Sequence, residues 1–197
     1  VTDKADYLKL VQPWRVREAD VLIETPVFRV RSRDCESPTT AGKGGRFVYL
    51  ETCDWVNVIP LTSDEDVVMI EQFRHGRAEI TLELPGGMVD EGEVPLAAAL
   101  RELLEETGYV GDDAEVIGTV APNPAIQTNL CHTAIVRDVT LRGAQHLDGN
   151  EEIAVRLVPL TSIPDLIQTG VINHALVVSA FYHFVINRIK RRARLSA

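Results

Sequence analysis

The chain is poor in cysteine, methionine and aromatic rings, with three Cys, two Met and 6% aromatics among 197 residues. Cys35, Cys53 and Cys131 are odd in number and form no CxxC, which argues against a disulfide framework and fits reduced thiols. Positive charge is also scarce. Twenty Lys and Arg face 29 Asp and Glu, for a formal net charge of −9. A general nucleic-acid binder needs a basic surface, so no nucleic-acid partner is expected. An anionic small molecule stays open, because a bound metal ion can reverse a local field. No apolar run approaches the ~20 residues that span a bilayer, so no membrane partner is expected. The N-terminus carries no charged-then-apolar leader pattern, and the expected location is cytoplasmic.

What is present is ordinary for a globular chain, 45% hydrophobic and 25% charged. Its length fits one domain with a small extension. Residues 1–20 are mixed and polar, with Trp14 the notable apolar side chain. Residues 27–31 (VFRVR) alternate like a strand, residues 32–45 read as a loop or hairpin tip, and residues 46–51 (RFVYLE) as the returning strand. The expectation is a β-rich segment over residues 1–53 ahead of a main domain over residues 54–197. In that domain, residues 55–61 and 67–73 read as a hairpin, and residues 80–84, 114–120, 130–139 and 153–159 as strands. The connections at 122–129 and 141–152 read as irregular. Ser162, Pro164 and Asp165 predict a capped short helix, and residues 173–194 a longer one. Strands, an enclosed helix, strands and then helices predict an α/β sandwich with a mixed sheet.

Residues 86–109 (GGMVDEGEVPLAAALRELLEETGY) carry the chemistry. Pro95 suits a first helical turn and Gly108 the left-handed position that ends a helix. Between them, Glu102, Glu105 and Glu106 share one face at i,i+3 and i,i+4 spacing. Leu96, Leu100 and Leu103 share another, which suits packing on a sheet. Like charges about 4 Å apart cost about 4 kcal/mol at an effective dielectric near 20. A hard divalent cation among them would remove that cost, since Mg²⁺ takes carboxylate oxygen and bridges to phosphates. Arg101 can hold Glu105 or Glu93 in place.

The spacing of Gly87, Glu93, Arg101, Glu102, Leu103, Glu105, Glu106 and Gly108 resembles the Nudix box. That pattern is Gly, five residues, Glu, seven residues, then Arg-Glu-aliphatic-any-Glu-Glu-any-Gly. Tyr109 fills a final slot that is more often aliphatic. Glu71-Gln72-Phe73-Arg74 and Leu82-Glu83-Leu84-Pro85-Gly86-Gly87 are similar to segments of the ADP-ribose and nucleoside-diphosphate-sugar pyrophosphatases of this superfamily, where alanine usually stands at the position of Gly86.

The resemblance implies a Nudix-type α/β/α sandwich. It also implies Mg²⁺-dependent (with Mn²⁺ a substitute) hydrolysis of a nucleoside diphosphate sugar, and a homodimer formed through the N-terminal segment. The implied metal ligands are Glu102, Glu105, Glu106 and the Gly86 carbonyl. Glu105, Glu151 or Glu152 would be the general base, with Arg101 in support. Arg74 is a candidate phosphate or ribose clamp, or else the partner of Glu71 or Glu79. Glu83 reaches substrate or lies outward on its strand. Trp14 is a candidate base-stacking ring. Asn123-Pro124-Ala125 replaces a Ser-Pro-Gly segment associated with bacterial ADP-ribose pyrophosphatases, which points to sugar-linked nucleotides as a class. The alternatives are other Nudix substrates (a dinucleoside polyphosphate, a nucleoside triphosphate, a coenzyme) and a non-catalytic sensing module. The five histidines have no metal-binding spacing and are expected to be structural, and residues 188–194 a solvated basic helix end.

Overall fold

The computed structural model describes residues 7, 8 and 10–195, and they fall into two compact units. The first unit spans Val1–Thr52 and Asn123–Thr128. It is built on an antiparallel sheet in the order β1 (Arg15–Glu24), β2 (Arg29–Glu36), β3 (Gly44–Glu51). Strand β1 occupies a stretch that the sequence pattern leaves unassigned. Its register shifts between Val16 and Ala19 and again between Val21 and Ile23, and these irregularities erase the two-residue alternation that would announce a strand. β2 and β3 also run into the expected loop, leaving only residues 37–43 as the connection. The polar residues there pair across strands, as Asp34 does with Arg46. A Cβ on Gly44 would lie 2.7 Å from the Cys35 carbonyl, so only glycine allows β3 to start there. Segment Asn123–Thr128 joins this unit through Leu50, whose N–H donates to the Ile126 carbonyl (2.7 Å) and whose carbonyl accepts from Thr128 N–H (3.1 Å).

The second unit spans Cys53–Pro122 and Asn129–Ala197. Its six-stranded sheet contains β4 (Trp55–Leu61), β5 (Asp66–Arg74), β6 (Glu79–Glu83), β8 (Asp113–Val120), β9 (Cys131–Arg137) and β11 (Ile153–Pro159). The order is β11-β5-β4-β9-β8, with β6 on β5. β4 and β9 run parallel and the other pairs antiparallel, which makes a mixed sheet. A two-stranded pair, β7 (Tyr109–Val110) with β10 (Thr140–Leu141), closes over the end of the first helix.

Alternation along the strands builds two cores. Val56 and Val58 of β4, Val68 of β5, and Ala134 and Val136 of β9 point to one face. There they meet Ala98, Ala99 and Leu103 of helix α1 (Pro95–Thr107), with Leu96 and Leu100 partly buried against them. Ile59, Met69 and Ile135 point to the other face. They meet Ile163 of α2 (Ile163–Gln168) and Val177, Ala180, Phe181 and Phe184 of α3 (Ala175–Leu195). The layers are helix, mixed sheet and helices, as expected. The predicted Ser162 cap is not made. Ser162 sits in right-handed helical backbone inside a 3₁₀ turn (Leu160–Ser162), so its side chain does not lie where an N-cap oxygen must. At the start of β4, Asp54 accepts from the Leu130 N–H (2.8 Å) and bonds His132 Nε2 (3.0 Å), giving that histidine the structural role expected of it. No helix among the described residues is long and apolar enough to cross a membrane.

Candidate active site

The turn that leads from β6 to α1 is fixed from both sides. The Pro85 and Gly87 carbonyls accept from Val58 and Val56 N–H (2.8 and 2.9 Å), stitching the turn along the edge of β4. Gly86 lies between them, and its N–H points the other way, to Glu106 Oε2 at 2.7 Å. Close packing against backbone makes Gly86 necessary, while a side chain at Gly87 would have to displace the Glu102 carboxylate. A Cβ on Gly86 would lie 2.1 Å from the Val56 carbonyl oxygen, and one on Gly87 would lie 2.4 Å from Glu102 Oε1. The alanine usual at position 86 among the resembled enzymes has no room in this backbone.

Helix α1 starts with Pro95 and stops at Gly108, whose φ of 73° is left-handed and whose N–H returns to the Leu104 carbonyl (2.8 Å). It presents its carboxylates to that turn. Glu106 is 4% exposed, and burial pushes its pKa up to about 8; the charges of Glu102 and Glu151 add to the rise, and the Gly86 N–H opposes it. Burial also raises Glu102, against the pull of Arg101. Arg101 holds the frame. Its Nε and Nη2 grip Glu93 (3.2 and 3.0 Å), Nη1 reaches Glu102 (2.8 Å) and Glu105 (3.1 Å), and Nη2 also caps the Met88 carbonyl (3.0 Å). Both partners anticipated for Arg101 are engaged, and the hydrogen bonds from Arg101 hold Glu93 below the usual carboxylate range.

Among the described residues, no three His, Cys, Asp or Glu side chains converge into a ready-made metal cluster. Arg101 draws Glu102 and Glu105 toward itself, while Glu106 turns to Gly86. The donor set nonetheless fits a hard divalent cation. It is all oxygen, with Glu106 buried and Glu102 half-buried, burial raises the proton affinity of both, and Gly87, lacking a side chain, lets its backbone pack directly against the Glu102 carboxylate.

Arg74 pairs with neither Glu71 nor Glu79. Those two are taken by Arg156 and Arg77. Arg74 instead forks onto Glu83 with bonds of 2.8 and 2.7 Å. Glu83 is neither outward nor solvent-facing, being 2% exposed with a further bond from the Thr81 hydroxyl (2.6 Å). Burial alone would raise its pKa, but Arg74 and Thr81 outweigh burial and hold it low. The charges of Glu106 and Glu151 also act on Arg74.

Of the two loop candidates, Glu151 is the one whose charge acts on Glu102, Glu106 and Arg74. Its carboxylate accepts from the Asp148 N–H (3.0 Å). Glu152 is exposed on the same loop. Trp14 belongs to the first unit, half-buried and edge-on to Phe47 with ring centres 6.0 Å apart. Sequence reasoning passed over Gln145, which bonds the Glu106 carbonyl (2.6 Å). A lone glutamine in a polar loop gives no signal of such a role.

The NUDIX domain model matches residues 54–181. The chain belongs to the Nudix family. The mouse (Mus musculus) ADP-sugar pyrophosphatase is 41% identical over 97 residues, which are 47% of this Nudix chain and 43% of the mouse protein. The alignment therefore spans less than half the length of that relative. The ADP-ribose pyrophosphatase of Saccharomyces cerevisiae (strain ATCC 204508 / S288c) is 29% identical over 184 residues, covering 84% of this chain and 77% of the yeast protein. A crystal structure of an ADP compounds hydrolase superposes with a TM-score of 0.77 at 24% identity, covering 94% of this chain and 99% of that one, which establishes the shared fold.

Proposed function

We propose that this Nudix protein hydrolyses the diphosphate bond of ADP-ribose or a related nucleoside diphosphate sugar, with Mg²⁺ as the working metal. The observation that carries the reading is the pair of carboxylates, Glu106 buried and Glu102 half-buried, packed against the Gly86–Gly87 turn. The names borne by the mouse and yeast relatives support the substrate class.

Glu102, Glu106 and the Gly86 carbonyl would hold the metal. The Gly86 N–H already faces the Glu106 carboxylate (2.7 Å), and the carbonyls on either side of Gly86 are both spent on β4. Glu105, tied to Arg101 and 42% exposed, would complete the set. A divalent cation held there, with Mn²⁺ able to replace Mg²⁺, neutralises diphosphate charge and makes the attacking water more acidic. Arg101 positions the carboxylates. Arg74, 43% exposed while anchored on Glu83, offers its outer edge to a phosphate or ribose. Glu151 takes the proton from water, in preference to Glu152 or Glu105, because its charge already acts on the ligand carboxylates. The water oxygen bonds to one phosphorus, and the bond from that phosphorus to the bridging oxygen breaks. The bridging oxygen leaves on the other phosphate, giving a nucleoside monophosphate and a sugar phosphate.

Residues 1–53 are proposed as a dimer-forming segment ahead of a hydrolase domain over residues 54–197, in a cytoplasmic homodimer. Val21, Ile23 and Val48 of the first unit are more than half exposed in the single chain, and Phe47 nearly half, which suits a partner surface. Light scattering that shows a strict monomer would end that part of the proposal. A base-stacking role for Trp14 predicts that Trp14→Ala raises KM. The deciding experiment is a substrate panel of ADP-ribose, other nucleotide sugars, dinucleoside polyphosphates, nucleoside triphosphates and coenzymes, with Mg²⁺ and with Mn²⁺, products identified. Preferred cleavage outside the sugar-linked group would overturn the substrate assignment.

A further inference from the structure

A helix leaves its last carbonyls without intrahelical donors, and two of those of α1, on Glu105 and Glu106, are taken by one loop, which also bonds the capping Gly108. After β10, Arg142 N–H donates to the Gly108 carbonyl (2.9 Å) and His146 N–H to the Glu105 carbonyl (2.8 Å). Between them, the Gln145 side chain spans two elements. Its Nε2 donates to the Glu106 carbonyl at 2.6 Å and to the Ile153 carbonyl, the first of β11, at 3.2 Å. The loop portion closed by this bridge carries Glu151. That residue is held in a small ring of its own by Glu151 N–H to the Asp148 carbonyl (2.9 Å) and Asp148 N–H to Glu151 Oε2 (3.0 Å).

We infer that Gln145 is a positioning residue that sets Glu151 relative to the carboxylates of α1. The inference rests on the reading of Glu151 as proton acceptor. The backbones of Glu105 and Glu106 are the attachment points of the loop, and their side chains are the proposed ligands. One amide therefore references the base and the ligands to the same two residues. The backbone donors of Arg142 and His146 fix where the loop leaves the helix. Gln145 alone among the three also grips Ile153, the far end, and so fixes the length of the arch. Glutamine is suited to this because its NH₂ group offers two donors to two carbonyls. A glutamate of the same size has no donor when ionised and faces both carbonyls with negative charge.

The test uses the full chain with ADP-ribose and Mg²⁺, comparing wild type, Gln145→Glu, Gln145→Ala, Glu151→Gln and the Gln145→Glu/Glu151→Gln double variant. A misplacement of about 1 Å can cost about 100-fold in rate. Both Gln145 variants are expected to lose about 10- to 100-fold in kcat, with KM and the Mg²⁺ concentration for half-activation changed less than about twofold. The double variant is expected to be no slower than Glu151→Gln, because Gln145 acts through Glu151. Full kcat in Gln145→Glu, or losses that multiply in the double variant, overturn the positioning role. Amide hydrogen exchange provides a readout that does not need turnover. Exchange at residues 146–153 should rise in Gln145→Glu while the buried centre of α1 is unchanged, and equal protection in both proteins refutes the tether. If wild type cleaves none of the panel, or Glu151→Gln keeps full turnover, the functional reading falls, and the exchange result still decides the tether.

Discussion

Replacing Glu106 with glutamine should make the metal-free protein more stable while abolishing its turnover. Glu106 is 4% exposed, and burial lifts its pKa from 4.5 to about 8. The folded chain therefore binds a proton more tightly than the unfolded chain, and stability falls as pH rises between those two values. At about 1.4 kcal/mol per pH unit, the cost of keeping this carboxyl buried is about 1 kcal/mol at pH 5, about 3 at pH 7, and close to 5 above pH 8. Glutamine has the size of the protonated acid, and its Oε1 can still accept the Gly86 N–H. Glu106→Gln in EDTA should gain those amounts. For a chain of this length, 1 kcal/mol moves Tm by about 2–4 °C, so the gain at pH 7 is about 10 °C. Adding Mg²⁺ should raise the Tm of wild type at pH 8, and should raise that of the variant far less. The assay is thermal unfolding from pH 5 to pH 9 with EDTA or Mg²⁺, beside a hydrolysis assay. A variant no more stable than wild type at pH 8 in EDTA, or a difference that does not grow with pH, would refute the account of the buried carboxyl. Full Mg²⁺-dependent activity in the variant would refute the metal assignment.

Gly86→Ala places a methyl group on the Val56 carbonyl, which the turn cannot yield without losing its bonds to β4; a loss above about 2 kcal/mol by denaturant unfolding is expected. Arg74→Ala strands the buried Glu83, and because Arg74 is 43% exposed the cost is set at about 2 kcal/mol, below that of a fully buried pair. Arg74→Ala/Glu83→Gln should recover most of that stability but not the KM, which separates substrate binding from folding. Glu83 has a lowered pKa, so its contribution is present above the unfolded value and is lost as pH falls through the folded one; acid unfolding of wild type and Glu83→Gln checks this. Arg101→Lys keeps the charge but not the fork on Glu93, and kcat should fall about 100-fold while the melting curve barely moves.

The box helix was legible because every requirement on it is local. Pro95 and Gly108 mark its ends, and the carboxylate and leucine faces follow from helical spacing. The two faces of the main sheet were legible for the same reason, since strict alternation in β4 and β9 sorts side chains to opposite cores. What the sequence hid depends on partners distant in the chain. Glu83 reads as an ordinary strand residue until β5 brings Arg74 alongside. Strand β1 is masked by its own bulges. Gln145 has no local pattern at all, because its two carbonyl partners come from α1 and β11. At Gly86, spacing revealed which residue is present but not that its neighbour Val56 forbids any other.

The grip of Arg101 bears on the order of events between folding and metal uptake. With Glu93, Glu102 and Glu105 all on one guanidinium, the helix carries its own internal counter-ion. A small zinc domain collapses without its metal, because metal binding supplies most of its folding free energy. Here two hydrophobic cores built without those carboxylates hold the sheet between its helices, and the fold is expected to stand without a cation. A metal that is not needed to hold the fold can arrive with the substrate and depart with the products, and chelation would empty the site without unfolding the chain.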